Sequence, residues 1–346
     1  MTNLTEKPDI LSLFPEELTQ FVRSIGEKDF RAKQLYGWMQ KGAAIDEMTN
    51  LPAAFREKLK ECSEYRLPKI EEKYVSQKDG TVKYLFSLID GECVESVFMR
   101  YEHGNTICVS SQAGCRMGCK FCASTLRGKV RDLTASEILG QVIAAQRDTG
   151  ERIGGVVMMG IGEPLDNYDN VLRFLELVHH PDGLNISHRH ISLSTCGLVD
   201  KIDRLADEHL QITLSVSLHA PNDDIRRATM PVARKYPYET LIDACKRYTE
   251  KTSRRISFEY ALISGVNDSD ENAHQLGRTL SGMLCHVNLI PVNEVKERGY
   301  KKSTRQQVAR FTEILNSYKI NTTVRRKLGG DINASCGQLR AEHREE

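Results

Sequence analysis

From residue 106 onward, strand-like and helix-like runs alternate without a break, and that alternation restricts the fold more than any other property of the chain. Apolar stretches at 106–110, 155–159, 190–195, 212–218, 256–262, 286–290 and 322–326 read as strands. Between them, apolar residues recur at helical spacing over 135–147, 168–177, 201–208, 239–251, 271–281 and 304–317. Six strand–helix units in succession predict the α/β class, because a parallel sheet needs a crossover before each new strand. A partial barrel and an open doubly wound sheet both satisfy the pattern. In either, the loops at the carboxyl ends of the strands carry the site.

The remainder of the chain divides around this core, taken as residues 101–331 of 346. Residues 1–68 read as a small helical domain. Ala32, Leu35, Tyr36 and Met39 share one face of a run over 30–41, and Pro52 opens a second helix through Leu59. Residues 69–100 read as a short β-hairpin linker carrying Glu95, with turn signals at Asp79-Gly80 and Asp90-Gly91 beside strand-like runs at 82–88 and 94–99. Residues 332–346 form a tail that carries Cys336.

Directly after the first core strand comes Cys115-Arg-Met-Gly-Cys119-Lys-Phe-Cys122. Cysteine thiolates hold iron–sulfur clusters, commonly four at a time. Three on a four-iron cluster leave one iron open to a small molecule and to electron transfer. A structural zinc ion is the other reading, but it wants a closed tetrahedral set. No second Cys-x₂-Cys pair exists, and no His pair follows at finger spacing, so the spacing favours the cluster. Ten cysteines with no signal-peptide pattern at the first residues point to a reducing compartment, expected to be the cytoplasm. No apolar run is long enough to span a membrane.

Small polar groups sit at successive strand ends, as a small-molecule pocket requires. Gly160-Ile-Gly162-Glu163-Pro164 follows the second strand, Ser194 lies at the end of the third, Ser217-Leu218-His219 ends the fourth, and Asn293 ends the sixth. The glycines permit close backbone approach to a ligand, although an ordinary strand-to-helix turn uses them too. His219 alone is more often a structural hydrogen-bonder than a catalyst. Cys108 reads as a strand residue in the core, Cys336 as a buried thiol near the tail, and Glu95 as one acid among many. Net charge is only +1, so bulk charge names no partner. Local basic sets do exist: Arg226, Arg227, Arg234 and Lys235; Lys296, Arg298, Lys301, Lys302 and Arg305; Arg325, Arg326 and Lys327. One such set is commonly a solvated face; three on loops of one sheet suggest nucleic acid.

Longer strings carry a family resemblance over nearly the whole chain. These are Cys108-Val-Ser-Ser-Gln-Ala-Gly-Cys115, Met159-Gly-Ile-Gly-Glu-Pro-Leu165, Ser215-Val-Ser-Leu-His219, Asp331-Ile-Asn-Ala-Ser-Cys-Gly-Gln-Leu339 and, in the helical domain, Phe30-Arg-Ala-Lys-Gln34. They resemble the RlmN/Cfr family of radical S-adenosylmethionine (SAM) RNA adenine methyltransferases. The resemblance implies a partial (β/α)6 radical SAM barrel with a small N-terminal helical domain that contacts RNA. It implies a 4Fe–4S cluster on Cys115, Cys119 and Cys122. SAM would be held by Gly162, Glu163, Ser194, Ser217, Leu218, His219 and Asn293. Cys336 would carry a methyl group taken from one SAM, and a radical made from a second SAM would activate it. The resulting carbon would add to an electron-poor adenine carbon, Glu95 would accept the proton, and Cys108 would free the product as a disulfide with Cys336.

The implied substrates are 23S rRNA near the peptidyl-transferase centre and tRNA beside the anticodon. A flavodoxin- or ferredoxin-type protein would donate electrons, and a monomer is expected. The C8-directed branch of the family shares the cysteines and the tail. Glu163-Pro164-Leu165 and Pro291-Val292-Asn293 look more like the C2-directed branch. Outside the family, a glycyl-radical activase and a zinc-bearing RNA-binding protein are the competing readings.

Overall fold

A computed structural model describes residues 7–339. Three helices open the chain: α1 (Pro15–Ser24), α2 (Phe30–Met39) and α3 (Ala53–Cys62). Pro15 starts α1 where a missing N–H does no harm, and the Phe14 N–H donates to the Glu17 carboxylate at 2.8 Å. Their apolar faces bury Leu18, Val22, Ala32, Leu35, Tyr36, Met39, Phe55 and Leu59.

Four strands follow: β1 (Lys69–Val75), β2 (Val82–Ser87), β3 (Cys93–Tyr101) and β4 (Gly104–Cys108), each antiparallel to the next. A two-stranded hairpin, β5 (Gln112–Gly114) and β6 (Lys129–Asp132), frames the cysteine loop. Then come α4 (Ala135–Thr149), β7 (Ile153–Met158), α5 (Tyr168–His179), β8 (Ile191–Thr195), α6 (Val199–Asp207), β9 (Thr213–Ser217), α7 (Asp223–Thr229), α8 (Tyr238–Thr252), β10 (Ile256–Leu262), α9 (Asp270–Leu280), β11 (Cys285–Pro291), α10 (Arg305–Ser317) and β12 (Asn321–Val324). The large sheet runs β1-β2-β3-β4-β7-β8-β9-β10-β11-β12. From β4 to β12 every neighbour is parallel, and the described end strands do not pair with each other. This is a mixed α/β fold, with a partial (β/α)6 barrel behind a helical N-terminal domain. Among the described residues no helix is long and apolar enough to cross a membrane.

The expected hairpin is larger than its turn signals indicate. β1 to β3 are continuous with the main sheet, joined to it through β4. β1 escaped notice because Lys-Ile-Glu-Glu-Lys-Tyr-Val is exposed at most positions and has no alternating apolar face.

Two cores result. The main one lies between the sheet and its helices. Thr134 caps α4 with Glu137 in a capping box, and Gln141 of α4 receives the Ser110 N–H at 2.8 Å and the Ser96 hydroxyl at 2.7 Å. Those bonds fix the helix against β3 and the end of β4. The second core covers the other face of the same strands: Leu85, Val97, Met99, Cys108 and Ile161 pack against Ile332, Ala334 and Leu339 of the C-terminal loop. Glu95 shares the face of Val97 and Met99 by strand alternation, and Cys108 is in register with Val97.

The C-terminal loop is fastened at two places. Asp79 accepts the Gly329 N–H at 3.0 Å, and Asp331 accepts the Ser76 hydroxyl at 2.7 Å and the Gln77 N–H at 3.1 Å. At the far end, Gly337 O accepts the Ala123 N–H and Leu339 O accepts the Ser124 hydroxyl, both at 2.8 Å. Cys336 is thereby stretched between the β1–β2 turn and the turn that follows Cys122.

Candidate active site

The cysteine loop is shaped by its glycines and its neighbours. Gly114 has φ +74°, and a Cβ there would lie 1.9 Å from the Gly128 carbonyl oxygen, so only glycine fits. The Cys115 N–H donates to that same carbonyl, and the Lys120 N–H donates to Thr229 O, each at 2.9 Å. Cys115, Cys119 and Cys122 then line one cavity together. It holds about 960 Å³ of atom-free space including its mouth.

Burial pushes all three thiols up, Cys115 to about 12. Unpaired thiolates are disfavoured there, and a metal group that replaces the three protons removes the penalty. Among the described residues no three His, Cys, Asp or Glu side chains are grouped as a single bound ion requires. The three thiols line one cavity with room beside them for a group larger than a single ion. The donor set therefore fits a 4Fe–4S cluster.

Opposite the cysteines lies the glycine turn after β7. A Cβ at Gly160 would approach Val109 O to 2.6 Å, and Gly162, at φ +109°, would approach the Gln112 Cβ to 2.7 Å. Glu163 is 3% exposed. Its carboxylate accepts the Cys196 N–H at 2.6 Å and the Leu165 N–H at 3.1 Å. Burial raises its pKa, and those donors pull it back. Gly162, Glu163, Ser194, Ser217, His219 and Asn293 all line the cavity, as does the thiol-bearing Cys196. Leu218 does not; its side chain is fully buried in the main core.

His219 is held in a left-handed backbone conformation at φ +54°. Its Nδ1 accepts the Ala261 N–H at 2.8 Å, and burial lowers its pKa to about 3. The ring is neutral, so its proton sits on Nε2.

Cys336 lines this cavity and also a second one, which it shares with Cys108, Val97, Met99 and Tyr101. The Asn293 amide donates to Cys336 O at 3.1 Å. Burial, with Cys336 nearby, pushes the Cys108 thiol up to about 12. The expected disulfide is not formed: all ten cysteines, including Cys108 and Cys336, are free thiols. Within the family reading that bond belongs only to the final step. Glu95, 2% exposed, lines neither cavity and is paired with Lys83 Nζ at 2.8 Å.

Three arginines of the local basic sets are engaged inside the protein. Arg226 is wholly buried, Arg298 donates to Thr125 Oγ1 at 2.7 Å and to Cys122 O at 3.3 Å, and Arg325 lines both cavities. Local charge density says nothing about burial, which tertiary packing decides. Lys302, Arg326 and Lys327 do line the second cavity. Sequence reading also missed Glu259, a 4% exposed acid in the otherwise apolar β10. It accepts from the Asn288 amide at 2.7 Å and lies 3.9 Å from Arg325. A lone carboxylate in an apolar strand was the available signal.

Comparisons with known proteins agree with this geometry. The Radical SAM superfamily profile matches residues 109–277, and the Ribosomal RNA large subunit methyltransferase N-terminal domain profile matches residues 8–64. A probable dual-specificity RNA methyltransferase RlmN from Clostridium novyi is 54% identical over 97% of this chain and 98% of its own length. The protein of the same name from Alkaliphilus oremlandii is 55% identical over 98% and 99%. A crystal structure of a radical SAM methyltransferase from Sphaerobacter thermophilus superposes with a TM-score of 0.93 at 44% identity, covering 97% of this chain and all of that one. With more than half of its residues shared along almost the entire length, the chain belongs to the RlmN family of radical SAM RNA methyltransferases.

Proposed function

We propose that this protein methylates C2 of an adenine in 23S rRNA, and of an adenine beside the tRNA anticodon, through a methyl group carried on Cys336. The observation that carries the reading is the position of Cys336 at the boundary of two cavities. One is lined by the cysteine triplet and the glycine turn. The other holds Cys108, with Lys302, Arg326 and Lys327 among its lining residues. The names of the relatives, dual-specificity RNA methyltransferases, support an RNA substrate of two kinds.

Cys115, Cys119 and Cys122 would hold the 4Fe–4S cluster, and the cavity-lining Gly162, Glu163, Ser194, Ser217, His219 and Asn293 the SAM, with Leu218 behind them in the core. Those groups supply the methyl group and the one-electron chemistry when bound. The chain's own residues do the rest. Cys336, oriented through its carbonyl by Asn293, takes the methyl group as a thiolate. Lys302, Arg326 and Lys327 neutralise backbone phosphates around an unstacked base. Glu95 accepts the C2 proton. The Cys108 thiolate attacks the Cys336 sulfur, the bond from that sulfur to the methylene carbon breaks as the disulfide forms, and the carbon leaves on the base and takes up a proton to become the methyl group. A flavodoxin- or ferredoxin-type carrier supplies electrons, and an external thiol resets the disulfide.

The test is anaerobic incubation of reconstituted protein with SAM, a reductant and a 23S rRNA fragment, read by nucleoside mass spectrometry, with Cys336→Ala in parallel. 2-Methyladenosine that disappears in the variant is the expected result. 8-Methyladenosine would assign the protein to the C8-directed branch. Activity retained by Cys336→Ala would overturn the methyl-carrier role.

A further inference from the structure

Arg226 heads the largest fully buried side chains among the described residues. Its Nη2 donates to Cys196 O at 2.6 Å and Ser217 O at 3.3 Å. Its Nε and Nη1 have no hydrogen-bond partner. The slot it fills depends on Gly197, where a Cβ would stand 3.1 Å from Nη2 and 2.9 Å from Leu241. Arginine stays protonated in proteins. A buried cation with no opposite charge beside it is unfavourable. The strongest electrostatic neighbours of Arg226 are Cys196, Cys119, Cys245 and Tyr238, none of them a carboxylate. The protein itself does not balance the charge.

The surroundings say what does. Arg226 lies on α7, whose Thr229 carbonyl accepts the Lys120 N–H of the cysteine loop at 2.9 Å. Met230, next after α7, packs with Cys119 and Cys196. The guanidinium is therefore locked behind the cysteine loop and cannot swing to solvent. A four-iron cluster on three thiolates is anionic, and it gains a further negative charge on reduction. Cluster potentials depend on net charge, hydrogen bonds and solvent exposure.

We propose that Arg226 is the buried counter-charge of the cluster site, placed to favour the cluster's reduction. This rests on the cluster reading of Cys115, Cys119 and Cys122. It is a positioning and electrostatic role. One electron passes from a low-potential donor to the cluster, the cluster becomes more negative, and no proton leaves Arg226. Arg226 does not itself line the cavity of the cysteine triplet, so its charge acts through the cavity wall, where Met230 packs with Cys119 and Cys196. Glu163 works on the same residue from the other side: it receives the Cys196 N–H while Arg226 donates to the Cys196 carbonyl. The Cys196 backbone is thus held between a carboxyl and a guanidinium group.

The experiment is a dithionite titration of the reconstituted protein followed by electron paramagnetic resonance, with iron and sulfide content measured first. Wild type, Arg226→Gln and Arg226→Lys are compared. The expected result is equal iron content, a more negative midpoint potential in Arg226→Gln, and a wild-type potential in Arg226→Lys. Equal potentials in all three overturn the counter-charge while leaving the cluster reading intact. Should Arg226→Gln lose its cluster, Arg226→Lys decides: restored iron and potential support the proposal, and equal loss assigns Arg226 to carbonyl bridging alone. Wild-type protein that binds no iron or sulfide overturns both.

Discussion

The thiols of Cys108 and Cys336 line one cavity and share the field of a single guanidinium, that of Arg325. The tie is tight: Cys336 is the largest influence raising Arg325, and Arg325 in turn draws the Cys108 thiol down against the burial that pushes it to about 12. Arg325 is placed by backbone, its N–H donating to Leu289 O at 2.8 Å, and Glu259 lies 3.9 Å from its head.

Release of product is therefore expected to quicken as pH rises. With the Cys108 thiol near 12, its thiolate fraction grows about tenfold per pH unit through the neutral range. Arg325→Gln removes the charge that favours thiolate, so release slows at every pH below that value. The measurement is decay of the RNA–protein adduct on denaturing gels across a pH series. Decay at wild-type speed in Arg325→Gln would count against this role, and Cys108→Ala should leave the adduct standing.

Glu95 has one assigned task, removal of the C2 proton. Its carboxylate is buried and held by Lys83 at 2.8 Å. Glu95→Gln keeps the shape and removes the base, so turnover should fall by about 10²- to 10⁴-fold, the usual range for a general base. Methylation of Cys336 should be untouched, because that step precedes contact with the base. Peptide mass spectrometry of Cys336 beside product counts separates the two, and loss of Cys336 methylation would mean that Glu95 is structural.

How far the molecule was legible in its residues differs by region. The parallel units were readable because each has its own period: Ile256–Leu262 is a strand as expected, and α10 begins one residue after the expected start. The attachment of β1 to β3 was not, because Asp79-Gly80 and Asp90-Gly91 mark turns without saying which edge a hairpin joins. That the motif residues gather around one cavity was readable; the placement of Glu259, Arg226 and Arg325 was not, since nothing local tells a buried charge from an exposed one. Cys336 was tied to Cys108 by the family resemblance alone, because only the folded C-terminal loop brings residues so far apart in sequence to one cavity.

His219 makes stability depend on pH with a definite sign. Its pKa falls from 6.5 to about 3 on folding. Between those values the unfolded chain binds a proton that the folded chain refuses, so stability is full above 6.5 and is lost as pH falls toward 3. The slope from this one group is at most about 1.4 kcal/mol per pH unit. His219→Asn tolerates the left-handed backbone and does not titrate. Urea unfolding of the cluster-free protein should show a shallower acid slope in that variant. Identical slopes would mean that the ring is protonated or exposed in the folded chain.

The last prediction concerns the anchors of the C-terminal loop. Asp79 and Asp331 hold Gly329, Ser76 and Gln77 at 2.7–3.1 Å, and none of these residues lines the cavity of the cysteine triplet. Small misplacement of a reacting group is enough to slow a reaction by orders of magnitude. Replacing both aspartates with alanine should slow Cys336 methylation by about tenfold or more, while iron content stays at the wild-type level. Because the second core still packs Ile332 and Ala334, the melting temperature should shift by only a few degrees, about what lost surface hydrogen bonds remove. Mass spectrometry of Cys336 against time gives the rate, and calorimetry gives the stability. A wild-type rate in the double variant would show that Asn293 and the Ala123–Gly337 bond suffice to place the thiol.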